Sequence, residues 1–223
     1  MRKRLKILYN FLCKAAFVSV FLFTGTLFSY AKDAQQLGRN EALDELSFVQ
    51  MLNSVDLGKQ SKLIQEFQQK EGRNWLLKKY NPNVCGVEAY RNREVLLVTI
   101  PASRLFSPNE VILRDGAASF LAPLTRYLKE PDMYRVMLVM HTDNTGSEQY
   151  RDELTVDRVD AVFEWFEKQG VNTNYLFSYA LSDDMPLKPN DSMENRETNR
   201  RLEVYLVPGE KMLNQAKNGR ISF

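Results

Sequence analysis

The chain has 223 residues, 44% of them hydrophobic and 26% charged, with a formal net charge of +2. That is room for one soluble globular domain and a modest extension. The positive charge is concentrated at the start, where Arg2, Lys3, Arg4, Lys6 and Lys14 precede any acidic residue. Without those five the remainder is slightly acidic, so nothing in the charge balance calls for a nucleic-acid partner.

The same five charges precede a largely apolar run from Ala15 to Phe28. Ser29-Tyr30-Ala31 then puts small residues at the third and first positions before a cut. This is the layout of a secretory signal peptide over residues 1–31, and it predicts export to the periplasm. The apolar run falls short of the roughly 20 residues that span a bilayer; an uncleaved membrane anchor is the alternative. Cys13 would leave with the signal, and Asn10-Phe11-Leu12 before it is no lipobox. Cys85 is then a lone thiol, expected as a buried apolar residue, with an intermolecular disulfide as the other reading.

Residues 32 to 40 are polar. From Glu41 to Tyr80 the spacing is helical, with Leu43, Leu46, Val49, Leu52 and Val55 on one stripe and Leu63, Ile64 and Phe67 on another. Gly58 and Gly72 are expected to break this N-terminal region (32–83) into two or three helices. Residues 41–80 are read as a docking segment for a protein partner, with a homodimer as an open reading. Asn81-Pro82-Asn83 marks a boundary. Val84 to Ile100 reads as a hairpin turning at Arg91-Asn92-Arg93. Ser107-Pro108-Asn109-Glu110 spells a helix start. A second helix runs from Asp115-Gly116, with Pro123 kinking or splitting it. Tyr134 to Met140 is an apolar strand. Ser147 caps a helix that ends at Gly170, and Leu176 to Leu181 is a short strand. Leu202, Val204 and Leu206 alternate with Glu203 and Tyr205 as a half-buried strand. The order indicates an α/β (α+β) fold, a β-α-β-α-β-β sandwich over residues 84–208 with helices on one face of a mixed sheet. The polar, basic tail at 209–223 is expected to fray.

The densest chemistry lies in His141-Thr-Asp-Asn-Thr-Gly-Ser-Glu-Gln-Tyr-Arg-Asp-Glu-Leu-Thr-Val-Asp-Arg158. Asp143 falls at the carboxyl end of a strand, where open sheets tend to bind ligands, and just before a helix start that favours anions. Arg158 is placed one and a half turns into that helix. An Asp takes an ammonium, and an Arg grips a carboxylate with a planar fork. On spacing alone, a zwitterion site and a plain structural ion pair both stand.

Further on come Pro186, Asn190 and Asn199-Arg200-Arg201-Leu202-Glu203-Val204. Together with His141-Thr-Asp this resembles the OmpA-like, MotB-like peptidoglycan-binding domain family. The resemblance implies a site for meso-diaminopimelate of the peptidoglycan stem peptide, with Asp143 and Arg158 holding its free centre. Thr142, Asn144 and Gly146 would shape the loop. Leu154 would flank the pocket, Asn199 and Arg200 would touch ligand or brace its loops, and Arg196 would be structural. The chain departs from the family at Arg151 (usually Asn), Thr155 (usually Ser), Ala180 and Asn195 (both usually Gly); of these, Arg151 puts the affinity and the stem-peptide preference in doubt, but not the site itself. Asn195 tolerates the left-handed backbone that a Gly would supply.

No catalytic residue, metal or cofactor is expected. His141, the one histidine, lacks a second ligand of zinc type and is read as packing or orienting the loop. Asp143, Glu148, Asp152 and Glu153 lack a persuasive catalytic partner. A stator-like membrane protein would need an intramembrane carboxylate, which residues 15–31 lack. The expectation is non-catalytic, non-covalent cell-wall anchoring in a Gram-negative envelope, with a protein-interaction scaffold as the alternative.

Overall fold

The computed structural model describes residues 45–53 and 57–223; the signal reading, residues 32–40, Leu43 and Val55 lie outside the described residues. The elements are α1 (Glu45–Asn53), α2 (Ser61–Phe67), α3 (Asn74–Lys79), β1 (Gly86–Tyr90), β2 (Val95–Pro101), α4 (Ala102–Leu105), α5 (Ala117–Leu121), β3 (Tyr134–His141), α6 (Glu148–Lys168), β4 (Leu176–Ala180), α7 (Met193–Asn199), β5 (Arg201–Pro208) and α8 (Glu210–Lys217). The five strands form one mixed sheet in the order β1-β2-β5-β3-β4, parallel only between β3 and β4.

The register assigns the faces. Leu96, Val98 and Ile100 of β2 lie opposite Leu206, Val204 and Leu202 of β5. These in turn lie opposite Val136, Leu138 and Met140 of β3. All nine side chains are fully buried. The other face carries Leu97, Tyr205 and Met137, then Thr99, Glu203 and Val139. The expectation of a half-buried last strand fails: every residue of β5 is buried. Phe48 of α1 lies across that second face, its ring 5.5 Å from Tyr179 and 5.3 Å from Tyr205. Helices therefore cover both faces, not one. Of the expected stripes, Leu52 and Ile64 are buried in the same core and Val49, Leu63 and Phe67 are partly buried against it, joined there by Phe48, Leu57 and Leu76. The buried side chains are not available to a partner.

Gly72 does not break its helix. It lies within a π-helical stretch, Gln68–Arg73, joining α2 to α3. Its missing side chain admits Leu96, since a Cβ there would collide with Leu96 Cδ1. Gln68 beside it is buried and binds across, accepting from the Tyr134 hydroxyl at 2.9 Å and donating to the Glu94 carbonyl at 2.9 Å. Pro123 does split its helix, α5 giving way to a 3-10 segment, Ala122–Leu128, with the proline in its first turn, where no N–H is required. The tail does not fray: α8 buries Met212 and Ala216, four apart, with Leu213 partly buried beside them. Cys85 is a buried free thiol, pushed by burial up to about 11. Among the described residues, no helix is long and apolar enough to cross a membrane.

Candidate functional site

The end of β3 and the start of β5 are adjacent, His141 opposite Arg201. Beyond the strand, the Thr142 N–H donates to the Ser182 carbonyl at 2.8 Å, which fixes the following turn. Asp143 is 2% exposed. Its Oδ1 accepts the Thr145 N–H at 2.7 Å, the local bond that Asp favours in turns. Its Oδ2 accepts from Arg200 Nη1. Burial alone would raise this carboxyl, but the bonds from Thr145 and Arg200 more than reverse it and hold it below the usual range. The other arm of Arg200, Nη2, donates to Glu197 Oε2.

Arg158 is the eleventh residue of α6, about three turns in, not one and a half. It is 4% exposed. Nε donates to the Glu110 carbonyl at 2.9 Å, Nη2 donates to the Ser107 carbonyl at 3.3 Å, and the guanidinium lies 4.9 Å over the Phe106 ring. Among the described residues no carboxylate lies within 4.0 Å of it. Burial draws its pKa down, and the charge of Arg200 pushes the same way. Asp143 and Arg158 are thus not an ion pair with each other. Asp143 has a different arginine, and Arg158 has carbonyls and a ring.

The carbonyls come from a segment expected to start a helix. Residues 107–110 instead make a turn, with Asn109 at φ +60 and a bridge between Phe106 and Leu113 closing the loop. Tyr150 ties that loop to α6, its hydroxyl 3.2 Å from Asn109 Oδ1. Ser147 caps α6 as expected, accepting the Tyr150 N–H at 3.2 Å. Gly146 has φ +87, and a Cβ there would meet the Tyr150 ring at 2.8 Å.

Thr142 is buried, Asn144 exposed and Leu154 buried beside the site. Asn199 is fully buried and braces the loop before it. Its Nδ2 donates to the Lys188 carbonyl and Asn190 Oδ1, both at 2.8 Å, so its amide nitrogen is committed to that loop. Arg196 donates to the Asn190 carbonyl at 3.0 Å. Arg151 pairs with Asp183 at 3.0 Å and donates to the Gly146 carbonyl, so its charge is partly neutralised. Asn195 sits in α7 with an ordinary helical backbone, so left-handed tolerance is not what it supplies. His141 is buried with Nε2 3.3 Å from Glu203 Oε2. Glu203 also accepts from Arg201 Nε at 2.7 Å and from the Tyr205 hydroxyl at 2.8 Å.

Sequence reasoning missed Glu197, Phe106 and the 107–110 carbonyls, and left the partner of Arg200 open. The doubled arginine was a signal that one of the two serves the site. No local pattern announced the carbonyls.

Residues 105–200 match the family model described as the OmpA family. The chain is 27% identical over 123 residues to "Probable lipoprotein YiaD" of Escherichia coli K12, covering 55% of this chain and 56% of that one. It thus spans little more than half the length of that relative. Among solved structures, one described as MotB-like, from Desulfovibrio vulgaris, superposes with a TM-score of 0.59 at 28% identity, over 67% of this chain and 95% of that one. The cell wall anchor of the T6SS from Pseudomonas aeruginosa shares the fold at a TM-score of 0.52 and 22% identity, over 60% of this chain and 95% of that chain.

Proposed function

We propose that this chain, which carries an OmpA-family domain over residues 105–200, binds peptidoglycan without covalent attachment or catalysis. In this reading it is periplasmic and anchored to the cell wall through the diaminopimelate of the stem peptide. Asp143 takes the ammonium of the free amino-acid centre and Arg158 its carboxylate. One observation carries this most: Arg158 is a nearly buried cation whose acceptors are neutral carbonyls. A buried guanidinium without a counter-ion is costly to hold, and a ligand carboxylate supplies what the fold does not. In this reading Asp143, just beyond the carboxyl end of β3, lies where open sheets tend to bind ligands.

The test has two parts. Pulldown with purified sacculi compares the wild type with Asp143→Ala and Arg158→Ala, each checked for an unchanged melting profile. Loss of a charged partner at a ligand contact typically costs about 2–5 kcal/mol, roughly 30-fold or more in affinity. Calorimetry then compares matched diaminopimelate-type and lysine-type stem peptides. Lysine has the amine but no carboxylate at that centre, so it should bind far more weakly. Equal affinities would remove Arg158 from the reading. Undiminished pulldown by both variants would remove the site.

A further inference from the structure

Asp143 cannot be reached as it stands. Its side chain is 3% exposed, and the group bonded to its Oδ2 is the Arg200 guanidinium, itself 28% exposed. Arg200 divides its fork between two carboxylates, Nη1 on Asp143 and Nη2 on Glu197, and Glu197 is 45% exposed. The Arg200 backbone is fixed at the junction of α7 and β5. Its N–H donates to the Arg196 carbonyl at 3.1 Å, and its carbonyl accepts the Ala102 N–H at 2.9 Å. Only the side chain is left to move. The adjacent Arg201 has no such freedom, since its guanidinium is spent on Glu203, the Asn199 carbonyl and the Met185 carbonyl.

We propose that Arg200 is a built-in competitor for the ligand's ammonium: it occupies Asp143 and must withdraw onto Glu197 before the ammonium can bind. This rests on Asp143 being the ammonium site. The geometry suits an exchange, not a permanent brace. A cation of like charge replaces a cation on the same carboxylate, so Asp143 is never left buried and unpaired, which would be the costly state. Glu197 already holds one arm of the departing guanidinium, so Arg200 is not left without a partner either. The affinity measured for ligand is then the difference between two charge-assisted contacts to one carboxylate, which keeps it modest and makes Arg200 and Glu197 its tuning residues.

The competitor role fixes opposite signs for two neighbouring variants. In calorimetric titration of the full chain with meso-diaminopimelate, Arg200→Gln binds tighter than wild type, by roughly tenfold for the loss of one charge-assisted competitor. Glu197→Gln binds more weakly, because Arg200 then has Asp143 as its remaining carboxylate. The free centre of the ligand carries one charge of each sign, so general attraction does not produce this pattern. Arginine side-chain NMR of the wild type gives a second reading: saturating diaminopimelate shifts the Arg200 signal and leaves that of Arg201 in place. Weaker or unchanged binding by Arg200→Gln, with the wild type binding normally, overturns the competitor role alone. Failure of the wild type to bind overturns the Asp143 site and this role with it. If Arg200→Gln does not fold, an Arg200 signal unmoved at saturation is the overturning result.

Discussion

Arg158→Met separates a ligand-binding cation from a structural one. The substitution keeps an unbranched stem and deletes the charge and the fork. What the fold loses can be read from the contacts: one good bond to the Glu110 carbonyl at 2.9 Å, a longer one to the Ser107 carbonyl at 3.3 Å, and the stack over Phe106. Hydrogen bonds from a charged group contribute about 1.5–3 kcal/mol and a cation over a ring about 0.5–2 kcal/mol. Ser107 and Glu110 are exposed residues, so water can take over their carbonyls. Against this stands the desolvation of a guanidinium that is 4% exposed, several kcal/mol with no carboxylate to offset it. The two sides nearly cancel, and urea unfolding should place Arg158→Met within about 1 kcal/mol of wild type, on either side. Removing one member of a buried ion pair would instead cost about 3–5 kcal/mol. Sacculus affinity should fall by roughly 30-fold or more in the same protein. A destabilisation above about 3 kcal/mol with retained binding would refute the reasoning, because it would mean that the fold, not a ligand, uses the charge.

Three further outcomes test the architecture. Glu203 is held at about 2, since burial would raise it but His141 and Arg201 more than reverse that. A folded value below the ordinary one of about 4.3 means that its contribution, about 3 kcal/mol, is complete above that pH and disappears as the pH falls toward 2. Glu203→Gln should flatten this limb of an acid-unfolding curve, and an unchanged limb would contradict the assignment. Gly72→Ala should lose about 1–3 kcal/mol by crowding the fully buried Leu96. Helix propensity alone predicts a gain of about 0.5–1 kcal/mol, so a stabilised variant in urea would refute the close contact. Phe48→Ala should cost about 3–5 kcal/mol and lower the melting temperature of the whole domain. A wild-type melt would mean that α1 does not fold with the sheet.

Much of the sheet was legible because its signals are local. The apolar run of β3, the Ser147 cap and the Gly170 stop lie within one or two turns of what they control, and each matches the structure. What failed depended on distant residues. Leu202-Glu-Val-Tyr-Leu206 reads the same whether Tyr205 meets water or a helix from the other end of the chain, and Phe48 decides which. Gly72 was read as a breaker because sequence rules weigh backbone freedom, whereas here the absent side chain makes room for Leu96. Ser107-Pro-Asn-Glu110 has a helix-start spelling, but the bridge from Phe106 to Leu113 and the bonds from Arg158 favour a turn. Asp143 and Arg158 stood out in the motif. The contact of Arg200 with Asp143 required knowing that β5 begins beside the end of β3.

That register also explains why a site with two charges can work in this place. Arg200 and Arg201 stand at the start of β5 and Arg158 on α6, and the three differ in how far the fold has committed them. Arg201 is spent on a buried glutamate and two carbonyls. Arg200 is shared between Asp143 and an exposed glutamate. Arg158 has no carboxylate among the described residues. On the proposed reading, a ligand carboxylate meets a cation that gives up no carboxylate to receive it, while a ligand ammonium meets a carboxylate that must first release its present partner. On the proposed reading, the carboxylate arm supplies the net attraction and the ammonium arm supplies discrimination, since only a ligand held by the first arm keeps its ammonium close enough to displace Arg200. A simple carboxylate without the amine would then bind at Arg158 and leave Arg200 on Asp143. A simple amine would bind nowhere, because it brings nothing to hold it while Arg200 withdraws.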